Sequence, residues 1–443
     1  MSSSSNIGLK VFKPDHGPLS IFWSRRDLRI ADNTAFARAL AGNVPVLPIF
    51  IFDSNILSEL PEDDSRVTFI HDSISEIKKS LGIRGSDILC LKGDPKTVWM
   101  QLTAAFNIVG VYVNVDYEPY ALKRDGEVAE LLAKKNIPFY SFKDQVLFEK
   151  YEILKGNGEP YTVFTPYKNK WLEKFHADRP VKPIVPNLSN LHKGTYAVLS
   201  LEHIGFKKSE IQIRDFDLSR LSLYGSKRDF PADDITSYLS PHLRFGTIGI
   251  REVVSKIGDN DGVFLNELIW REFFMQILFH YPEVVTENFK PAYNKIPWRN
   301  DPNEFRAWCQ GKTGYPLVDA GMRQLNATGY MHNRVRMVTA SFLCKHLLID
   351  WRWGEGYFAK KLLDYELASN NGNWQWAAGT GCDAAPYFRI FNPISQHKKF
   401  DKDHTYIRKW IPELDTFEYP DPIVEHKFAR ERALAAYKKA LAP

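Results

Sequence analysis

Short apolar runs alternate with amphipathic stretches through the first third of the sequence, and this alternation strongly constrains the fold. The apolar runs predict buried strands at residues 19–23, 44–52, 87–91, 108–115 and 138–142. The stretches between them predict helices at residues 33–40, 67–81, 95–106 and 122–135. Strands that alternate with helices pair in parallel, so we expect a doubly wound α/β domain. Neither GxGxxG nor GxxxxGKS/T follows a predicted strand, which weakens the two commonest nucleotide-binding interpretations.

The composition changes after residue 146. Residues 147–214 are rich in Pro, Gly and Lys and show little periodicity, so we interpret them as a long surface linker. Beyond the linker, helical spacing of apolar residues predicts helices near residues 248–257, 263–279, 304–309, 317–326, 333–348 and 357–363. We therefore expect a flexible N-terminus at 1–17, an α/β domain at 18–146, an interdomain linker at 147–214 and an all-α domain at 215–443.

Charge and cysteine content narrow the class of protein. The 58 Lys and Arg residues exceed the 53 Asp and Glu residues, which gives a formal charge of +5 and permits a polyanion on one basic face. The four cysteines are far apart and form no CxxC pair, so we expect a reducing compartment and no cysteine-bound metal. No apolar run reaches the roughly 18 residues of a membrane span, and the first residues lack the apolar core of a signal peptide. We expect a cytoplasmic protein with no metal and no membrane partner.

The most unusual stretch is DYELASNNGNWQWAAGTGCDAAPYFRIFNP, residues 364–393. Asn370, Asn371 and Asn373 stand beside Trp374 and Trp376, whereas a helix built only for packing would repeat aliphatic residues and keep amides at its caps. Amides next to large rings suggest a planar ligand with polar edges. The alternative is an aromatic-rich loop with a turn at Asn371 and Gly372.

A second stretch, YGSKRDFPADDITSYLSPHLRFG, spans residues 224–246. It places Thr236, Ser237 and Ser240 around Leu239, so hydroxyls and backbone amides could hold phosphate oxygens at a helix start. The alternative is an ordinary helix N-cap, which favours the same residue types.

Two further stretches carry charged and aromatic residues at helical spacing. NELIWREFF, residues 266–274, presents an acid, a flat ring and a cation on one face, as Glu267, Trp270 and Arg271. A plain helix surface would explain it equally well. HNRVRM, residues 332–337, sets Asn333 and Met337 on one face with Arg334 and Arg336 beside them. An amide, a thioether and two guanidiniums suit a nucleobase with phosphates better than a core.

In this order, the motifs closely resemble the class I cyclobutane pyrimidine dimer photolyases of the cryptochrome/photolyase family. The resemblance runs from about residue 20 to about residue 441 and is densest at residues 312–400. It implies an N-terminal antenna domain and a helical domain that holds a U-shaped FAD. It also implies a DNA repair lyase whose reduced anionic FAD passes an electron to a thymine dimer under blue light. The partner would be DNA containing pyrimidine dimers, bound by a monomer that associates with the nucleoid.

The resemblance assigns the FAD contacts residue by residue to positions that match the family motifs: Tyr224, Thr236, Ser237, Tyr238, Leu239, Ser240, Phe264, Arg336, Asp364, Tyr365, Glu366 and Asn370. Asn370 would face the flavin N5, where its amide could stabilise an added electron and proton without itself titrating. Arg336 would form a salt bridge with Asp364 and keep that carboxylate ionised beside the flavin.

The resemblance also assigns the lesion and DNA contacts: Arg228, Glu267, Trp270, Arg271, Asn333, Arg334, Met337, Trp376, Arg389 and Gln396. Glu267, Asn333 and Met337, together with Asn370, form the predicted catalytic group. If Glu267 holds a proton, it can donate to a thymine carbonyl as charge develops there.

Three tryptophans match the family's electron-transfer chain, through which oxidised flavin is photoreduced: Trp298, Trp351 and Trp374. As single residues they are large hydrophobes that would serve a core equally well. The assignment therefore rests on the set of motifs and not on any one ring.

Some positions depart from the family pattern. Glu366 stands where Asp is frequent, and Tyr330 stands where Trp is common. Folate-binding members carry Asn-Glu where this chain has Tyr120 and Ala121, and Val285 is nearest to the place of the folate lysine. The antenna chromophore is therefore open: deazaflavin, another flavin, folate in a different pose, or none.

Three other classes of protein are alternatives to a dimer-repair enzyme. A cryptochrome-type blue-light photoreceptor would share the fold and the FAD, but that class often replaces the asparagine at position 370. A photolyase for the six-four photoproduct uses two histidines where this chain has Asn333 and Met337. A flavin-binding or nucleotide-binding protein without photochemistry would leave the lesion set and the tryptophan chain unexplained. We favour dimer repair.

Overall fold

The computed structural model describes residues 17–179 and 181–442, so residues 1–16 of the predicted flexible N-terminus lie outside the described residues. The described chain forms two compact units that alternate along the sequence. The first contains residues up to 149, residues 175–215 and residues 239–256. The second contains residues 150–174, residues 216–238 and the chain from residue 257 onward. Because the chain passes between units more than once, the domain bounds 18–146, 147–214 and 215–443 remain a prediction.

The first unit is built on a five-stranded sheet. Its strands are β1 (Leu19–Ser24), β2 (Val46–Asp53), β3 (Leu89–Gly93), β4 (Ile108–Asn114) and β5 (Phe139–Phe142). All neighbouring strands pair in parallel, and their order is β3-β2-β1-β4-β5. The order steps outward in both directions from β1, which confirms the predicted doubly wound sheet.

Five helices connect or follow these strands: α1 (Thr34–Leu40), α2 (Ser54–Leu57), α3 (Ser65–Gly82), α4 (Pro95–Ala105) and α5 (Pro119–Ala133). Four of them begin at an acid or amide whose side-chain oxygen accepts a backbone N–H of the first turn: Asn33, Asp53, Asp64 and Asp94. Such a cap satisfies a backbone donor that the helix itself cannot pair. Helix α3 starts at Ser65, two residues before the predicted start, because the cap at Asp64 and not the first apolar residue sets the boundary.

The segment predicted as a long surface linker contains two helices, α6 (Phe164–Asp178) and α7 (Leu201–Ile204). The sequence analysis found little periodicity there and missed both helices. Phe164, Tyr167 and Trp171 are buried and follow each other at spacings of three and four, as on one face of a helix. Lysines on the other faces of α6 make the segment polar on average, so the spacing of these three apolar residues is not apparent from composition.

The remaining elements are helices: α8 (Leu221–Lys227), α9 (Leu239–Phe245), α10 (Ile250–Ser255), α11 (Gly262–His280), α12 (Pro302–Gln310), α13 (Pro316–Thr328), α14 (Asn333–Ser341), α15 (Trp351–Lys361), α16 (Leu367–Ala378), α17 (Pro393–Phe400), α18 (Thr405–Trp410) and α19 (His426–Ala440). The described strands all lie in the first unit, which confirms the predicted combination of an α/β and an all-α part. The helix predicted at 333–348 ends earlier, because its last part, Phe342–His346, winds as a π-helical turn.

Helix α16 occupies the centre of the stretch 364–393 and excludes the alternative of a turn at Asn371 and Gly372. It packs against α11, α14 and α15. Two glycines permit these approaches: a Cβ at Gly372 would overlap the ring of Phe274, and a Cβ at Gly354 would overlap the ring of Trp374. The four helices therefore form a framework that carries part of the predicted site, including Glu267, Asn333 and Asn370.

No helix in the described part of the chain is long and apolar enough to cross a bilayer.

Candidate functional site

Helix α11 carries the acid of the predicted lesion face. Glu267 accepts a hydrogen bond from the guanidinium of Arg228, 2.5 Å away, and the same guanidinium lies over the ring of Tyr224 at 5.4 Å. Burial raises the pKa of Glu267, and the positive charge and hydrogen bond of Arg228 oppose that rise. The site therefore holds a carboxyl group whose protonation is set by two competing effects.

One turn further along α11, Trp270 is half-buried and next to Arg271. Three phenyl rings surround the indole, and one of them, Phe164, comes from α6. The indole is thus held by neighbours while part of its surface stays exposed.

Helix α14 begins at Asn333, where the imidazole of His332 accepts the backbone N–H of Arg334. Burial lowers the pKa of His332 to about 4, so the ring is neutral and can act as this acceptor. One guanidinium nitrogen of Arg334 lies 3.7 Å from the sulfur of Met337, and another pairs with Asp229 at 2.6 Å. Asn333 and Met337 thus share a face beside a fixed cation. The DNA contact of Arg334 stays a prediction.

Arg336 and Asp364 form the ion pair that the resemblance implies, at 2.9 Å. Arg336 also donates to the backbone carbonyl of Met331 at 2.7 Å, so its guanidinium is held on two sides. Next to Asp364, Tyr365 is half-buried, and Glu366 accepts the backbone N–H of Ser369 at 2.9 Å as the N-cap of α16. The acid at position 366 therefore keeps a capping function despite its departure from the family residue.

Asn370 has a partner that the sequence analysis missed. Its side-chain nitrogen donates to the carboxylate of Glu355 at 2.8 Å and to the carbonyl of the same residue at 3.2 Å. Burial raises the pKa of Glu355, while the hydrogen bond from Asn370 opposes that rise. The available signal was an acid between two glycines, Gly354 and Gly356, on an otherwise aromatic helix face.

Aromatic pairs flank the predicted cofactor residues. The rings of Tyr224 and Phe264 meet edge to face at 5.2 Å. Tyr238 and Tyr330 form a similar pair at 5.2 Å, so Tyr330 replaces the common Trp with another ring. Thr236 and Ser237 are half-buried and precede Tyr238. Leu239 and Ser240 begin helix α9, which belongs to the first unit.

The donor set of the second unit fits a flavin nucleotide. Asn370 offers an amide, Asp364 with Arg336 offers a fixed ion pair, and Thr236 and Ser237 offer hydroxyls. Aromatic rings, an ion pair, an amide and hydroxyls are the kinds of group that suit the ring, ribityl and phosphate parts of such a molecule. Which residue contacts which part stays a prediction.

The three chain tryptophans lie on segments that contact one another. The ring of Trp374 is buried against α15 at Gly354, one turn from Trp351. The indole nitrogen of Trp351 donates to Asn288 at 2.8 Å. The backbone N–H of Arg299, next to Trp298, donates to Leu348 just before α15 at 2.8 Å. Contacts therefore connect the three segments, and the electron-transfer chain stays a prediction.

The other predicted DNA residues lie towards the end of this region. Trp376 is half-buried on α16, Arg389 is exposed in the segment that follows, and Gln396 is half-buried on α17. Their contacts with DNA stay a prediction.

A cavity of about 260 Å³ opens near the carboxyl end of the sheet in the first unit, lined by Asn55, Asp94, Pro95, Lys96, Tyr120, Lys123, Arg124, Glu127 and Val128. At its edge the hydroxyl of Tyr120 donates to Asp53 at 2.5 Å. Ligands of α/β sheets bind at the carboxyl ends of strands, so this is where a second chromophore would be sought. Its identity stays open.

Within residues 17–179 and 181–442, no group of three His, Cys, Asp or Glu side chains is arranged to hold a metal ion.

Fold and site together define a flavoprotein of the photolyase and cryptochrome type. Residues 20–186 match the family described as DNA photolyase, and residues 264–418 match the FAD binding domain of DNA photolyase. The chain belongs to the DNA photolyase family, and FAD is its cofactor. Two relatives named deoxyribodipyrimidine photo-lyase are each 37% identical: that of Halobacterium salinarum, with 95% of this chain and 99% of the relative covered, and that of Escherichia coli, with 95% and 98% covered.

The similar solved structures include two photolyases and a cryptochrome. A bacterial class III photolyase from Agrobacterium tumefaciens has a TM-score of 0.84 at 34% identity, with 97% of this chain and 99% of that chain covered. An archaeal photolyase from Sulfolobus tokodaii, solved with two FAD molecules, has a TM-score of 0.82 at 34% identity, with 95% and 99% covered. A Synechocystis cryptochrome has a TM-score of 0.84 at 25% identity, with 95% and 99% covered. The assignment to class I stays a prediction, because a class III photolyase is among these neighbours.

Proposed function

We propose that this protein repairs DNA by splitting cyclobutane pyrimidine dimers under blue light. The observation that carries the proposal is the packing of α11 and α14 against α16. These three helices bear the predicted lesion residues Glu267, Trp270, Asn333 and Met337 and the predicted flavin residue Asn370. Donor and substrate groups thus belong to one framework, as transfer of an electron over a short distance requires.

A dimer must leave the base stack to reach a buried flavin. Its two bases pair poorly, so extrusion costs less than for an intact pair, and photolyases are a known example of base flipping. Trp270 and Trp376, both half-buried, would replace the lost stacking. Met337 and Asn333 would contact the flipped bases with a thioether and an amide.

Bound FAD in its reduced form would supply one electron on excitation and take it back after the ring has opened, so the reaction is redox-neutral. The two carbon–carbon bonds between the pyrimidines break, and no atom is gained or lost. Glu267 in its protonated form would donate a hydrogen bond to a pyrimidine carbonyl on which negative charge develops. Asn370, held by Glu355, would orient its free carbonyl oxygen towards the flavin edge.

Phosphate contacts by arginines such as Arg389, which is exposed, would give binding a strong salt dependence. We expect affinity for undamaged DNA to fall steeply with salt. The lesion-specific part should change less, because stacking and hydrogen bonds to bases release no counterions.

The second candidate is a cryptochrome-type photoreceptor, since a cryptochrome is a structural neighbour with the same TM-score as a photolyase. The residues favour repair, because the lesion face keeps Glu267, Asn333 and Met337 and the flavin site keeps Asn370. A photoreceptor has no need of an acid and a thioether facing a flipped base.

The deciding experiment incubates the reduced, FAD-loaded protein with a thymine-dimer oligonucleotide in the dark and under blue light. Recovery of thymine absorbance only under light supports dimer repair. Absence of recovery with FAD bound and reduced would overturn the proposal and favour the photoreceptor. A six-four photoproduct oligonucleotide serves as the specificity control and should stay unrepaired.

A further inference from the structure

A parallel pair of rings connects α6 to the lesion face of α11. The centroids of Phe164 and Trp270 lie 3.6 Å apart, and the ring planes differ by 6°. Phe164 is buried with 7% of its surface exposed, whereas Trp270 is half-buried. Phe164 therefore covers part of an indole whose remaining surface is open.

The other rings around Trp270 come from its own helix. Phe273 meets it edge-on at 5.6 Å and Phe274 lies at 5.4 Å with planes 27° apart. These two rings lie on the same helix as Trp270, whereas Phe164 belongs to another element. Phe164 therefore links the indole to α6.

Two further side chains of α6 contact α11. The indole nitrogen of Trp171 donates to the buried carboxylate of Glu272 at 2.6 Å. The ring of Tyr167 packs on Phe273 at 5.2 Å, and both residues are fully buried. The position of Phe164 is thus set by contacts on the same face of α6, one and two turns away.

The backbone of Phe164 makes a separate contact. Its N–H donates to the carboxylate of Asp383 at 3.1 Å, in the segment between α16 and α17 that also carries Arg389. Phe164 therefore joins two elements of the predicted DNA face, one through its ring and one through its amide. Any side-chain substitution keeps the amide, so the function of the ring can be tested alone.

We propose that Phe164 is a positioning residue for lesion binding: its ring holds Trp270 in the orientation in which the exposed part of the indole stacks on a flipped pyrimidine. This inference rests on the proposed function. An unsupported tryptophan would sample several rotamers, and freezing one of them on binding lowers affinity. Contact with Phe164 restricts Trp270 to one rotamer before the DNA binds.

The test measures dark binding of the FAD-loaded protein to a thymine-dimer oligonucleotide and to the same undamaged sequence. Phe164→Leu should weaken binding to the dimer about 3-fold to 10-fold, which corresponds to about 0.7–1.4 kcal/mol. Binding to undamaged DNA, FAD content and the repair rate at saturating dimer should stay within about twofold of wild type. Phe164→Tyr should restore the affinity, because it keeps the ring.

Two controls separate positioning from general destabilisation. Phe305→Leu removes a ring that is stacked on Trp308 at 5.8 Å, and should leave dimer affinity unchanged. Phe164→Met is measured in parallel, so that the comparison stands if the leucine variant loses its fold.

A double-mutant cycle with Trp270→Leu tests whether Phe164 affects dimer binding through Trp270. If Phe164 acts through Trp270, the Phe164→Leu change should cost little further affinity once the indole is gone. Equal losses in both backgrounds, or wild-type affinity in Phe164→Leu and Phe164→Met, would overturn the inference. If the wild-type protein does not distinguish dimer from undamaged DNA, the proposed function has failed instead.

Discussion

The side-chain amide of Asn370 donates a hydrogen bond to the carboxylate of Glu355, 2.8 Å away, and so joins α16 to α15 at the predicted flavin N5 position. The bond occupies the amide nitrogen and leaves the carbonyl oxygen as the group that can accept a proton-bearing partner. A neutral amide in this place interacts with the flavin without changing its own charge.

Replacement of Asn370 by alanine should lower the one-electron reduction potential of bound FAD by roughly 50 mV, because about one hydrogen bond to the reduced form is lost. The measurement is a spectroelectrochemical titration of the loaded protein. Glu355→Gln keeps an acceptor for Asn370 and should shift the potential less. An unchanged potential in Asn370→Ala would contradict the N5 assignment, and dark affinity for DNA should not change in either variant.

The balance of burial and charge at Glu267 predicts a pH dependence of repair. Arg228 lowers the pKa of Glu267 against the rise caused by burial, so Arg228→Gln should raise that pKa further. If the protonated acid assists ring opening, activity is full below this pKa and is lost as the pH rises through it. The alkaline limb of the pH profile should therefore move to higher pH in Arg228→Gln.

Repair at saturating substrate, measured over a pH series with chemically reduced protein, checks this expectation. Arg352→Gln, which removes an arginine paired with Asp350 away from the lesion face, is the matched control. A shift of the limb to lower pH, or no shift, would argue against a protonated Glu267.

The buried indole of Trp374 leads to the third prediction. Trp374→Phe should abolish blue-light bleaching of oxidised flavin, because phenylalanine is much harder to oxidise, while the chemically reduced variant still repairs dimers. Absorbance of the flavin under illumination with an external reductant provides the measurement. Trp308→Phe is the control, since that buried indole touches Trp374 edge-on at 6.1 Å without belonging to the predicted chain. Equal photoreduction in both variants would remove Trp374 from the chain.

The crossing of α11 and α16 leads to a stability prediction. A Cβ at Gly372 would overlap the ring of Phe274, so Gly372→Ala should lower the free energy of unfolding by about 1–3 kcal/mol. Gly356→Ala places the same methyl group on α15 where nothing lies within 4 Å, and should raise stability by about 0.5–1 kcal/mol through helix propensity. Urea unfolding of both variants distinguishes a steric effect from a general effect of alanine. Equal behaviour of the two would refute the close approach.

Local patterns predicted the sheet and most helices. A buried parallel strand needs an apolar run, and an amphipathic helix needs apolar residues at helical spacing. The same reasoning failed for α6, where lysines between Tyr167 and Trp171 and beyond raise the polarity of the segment and obscure the apolar period. Tertiary packing, which a local pattern does not contain, makes Phe164, Tyr167 and Trp171 a buried face.

In the candidate site, too, some contacts could be predicted from the sequence and others could not. The ion pair of Arg336 with Asp364 agrees with the family motif, since both residues stand in recognisable sequence contexts. Glu355 and Phe164 stand in none of the motifs that carry the resemblance, and each acquires its importance from a partner on another helix. The sequence analysis also gave no sign of the π-helical turn at Phe342–His346.

The docking of α6 on α11 also has a consequence for synthesis of the chain. Trp171 leaves the ribosome 101 residues before its partner Glu272. At translation rates of about 5–20 residues per second, the apolar face of α6 is exposed for roughly 5–20 s before α11 emerges. During that interval Phe164, Tyr167 and Trp171 lack the α11 side chains that cover them in the folded chain, so this apolar face is buried only late in synthesis.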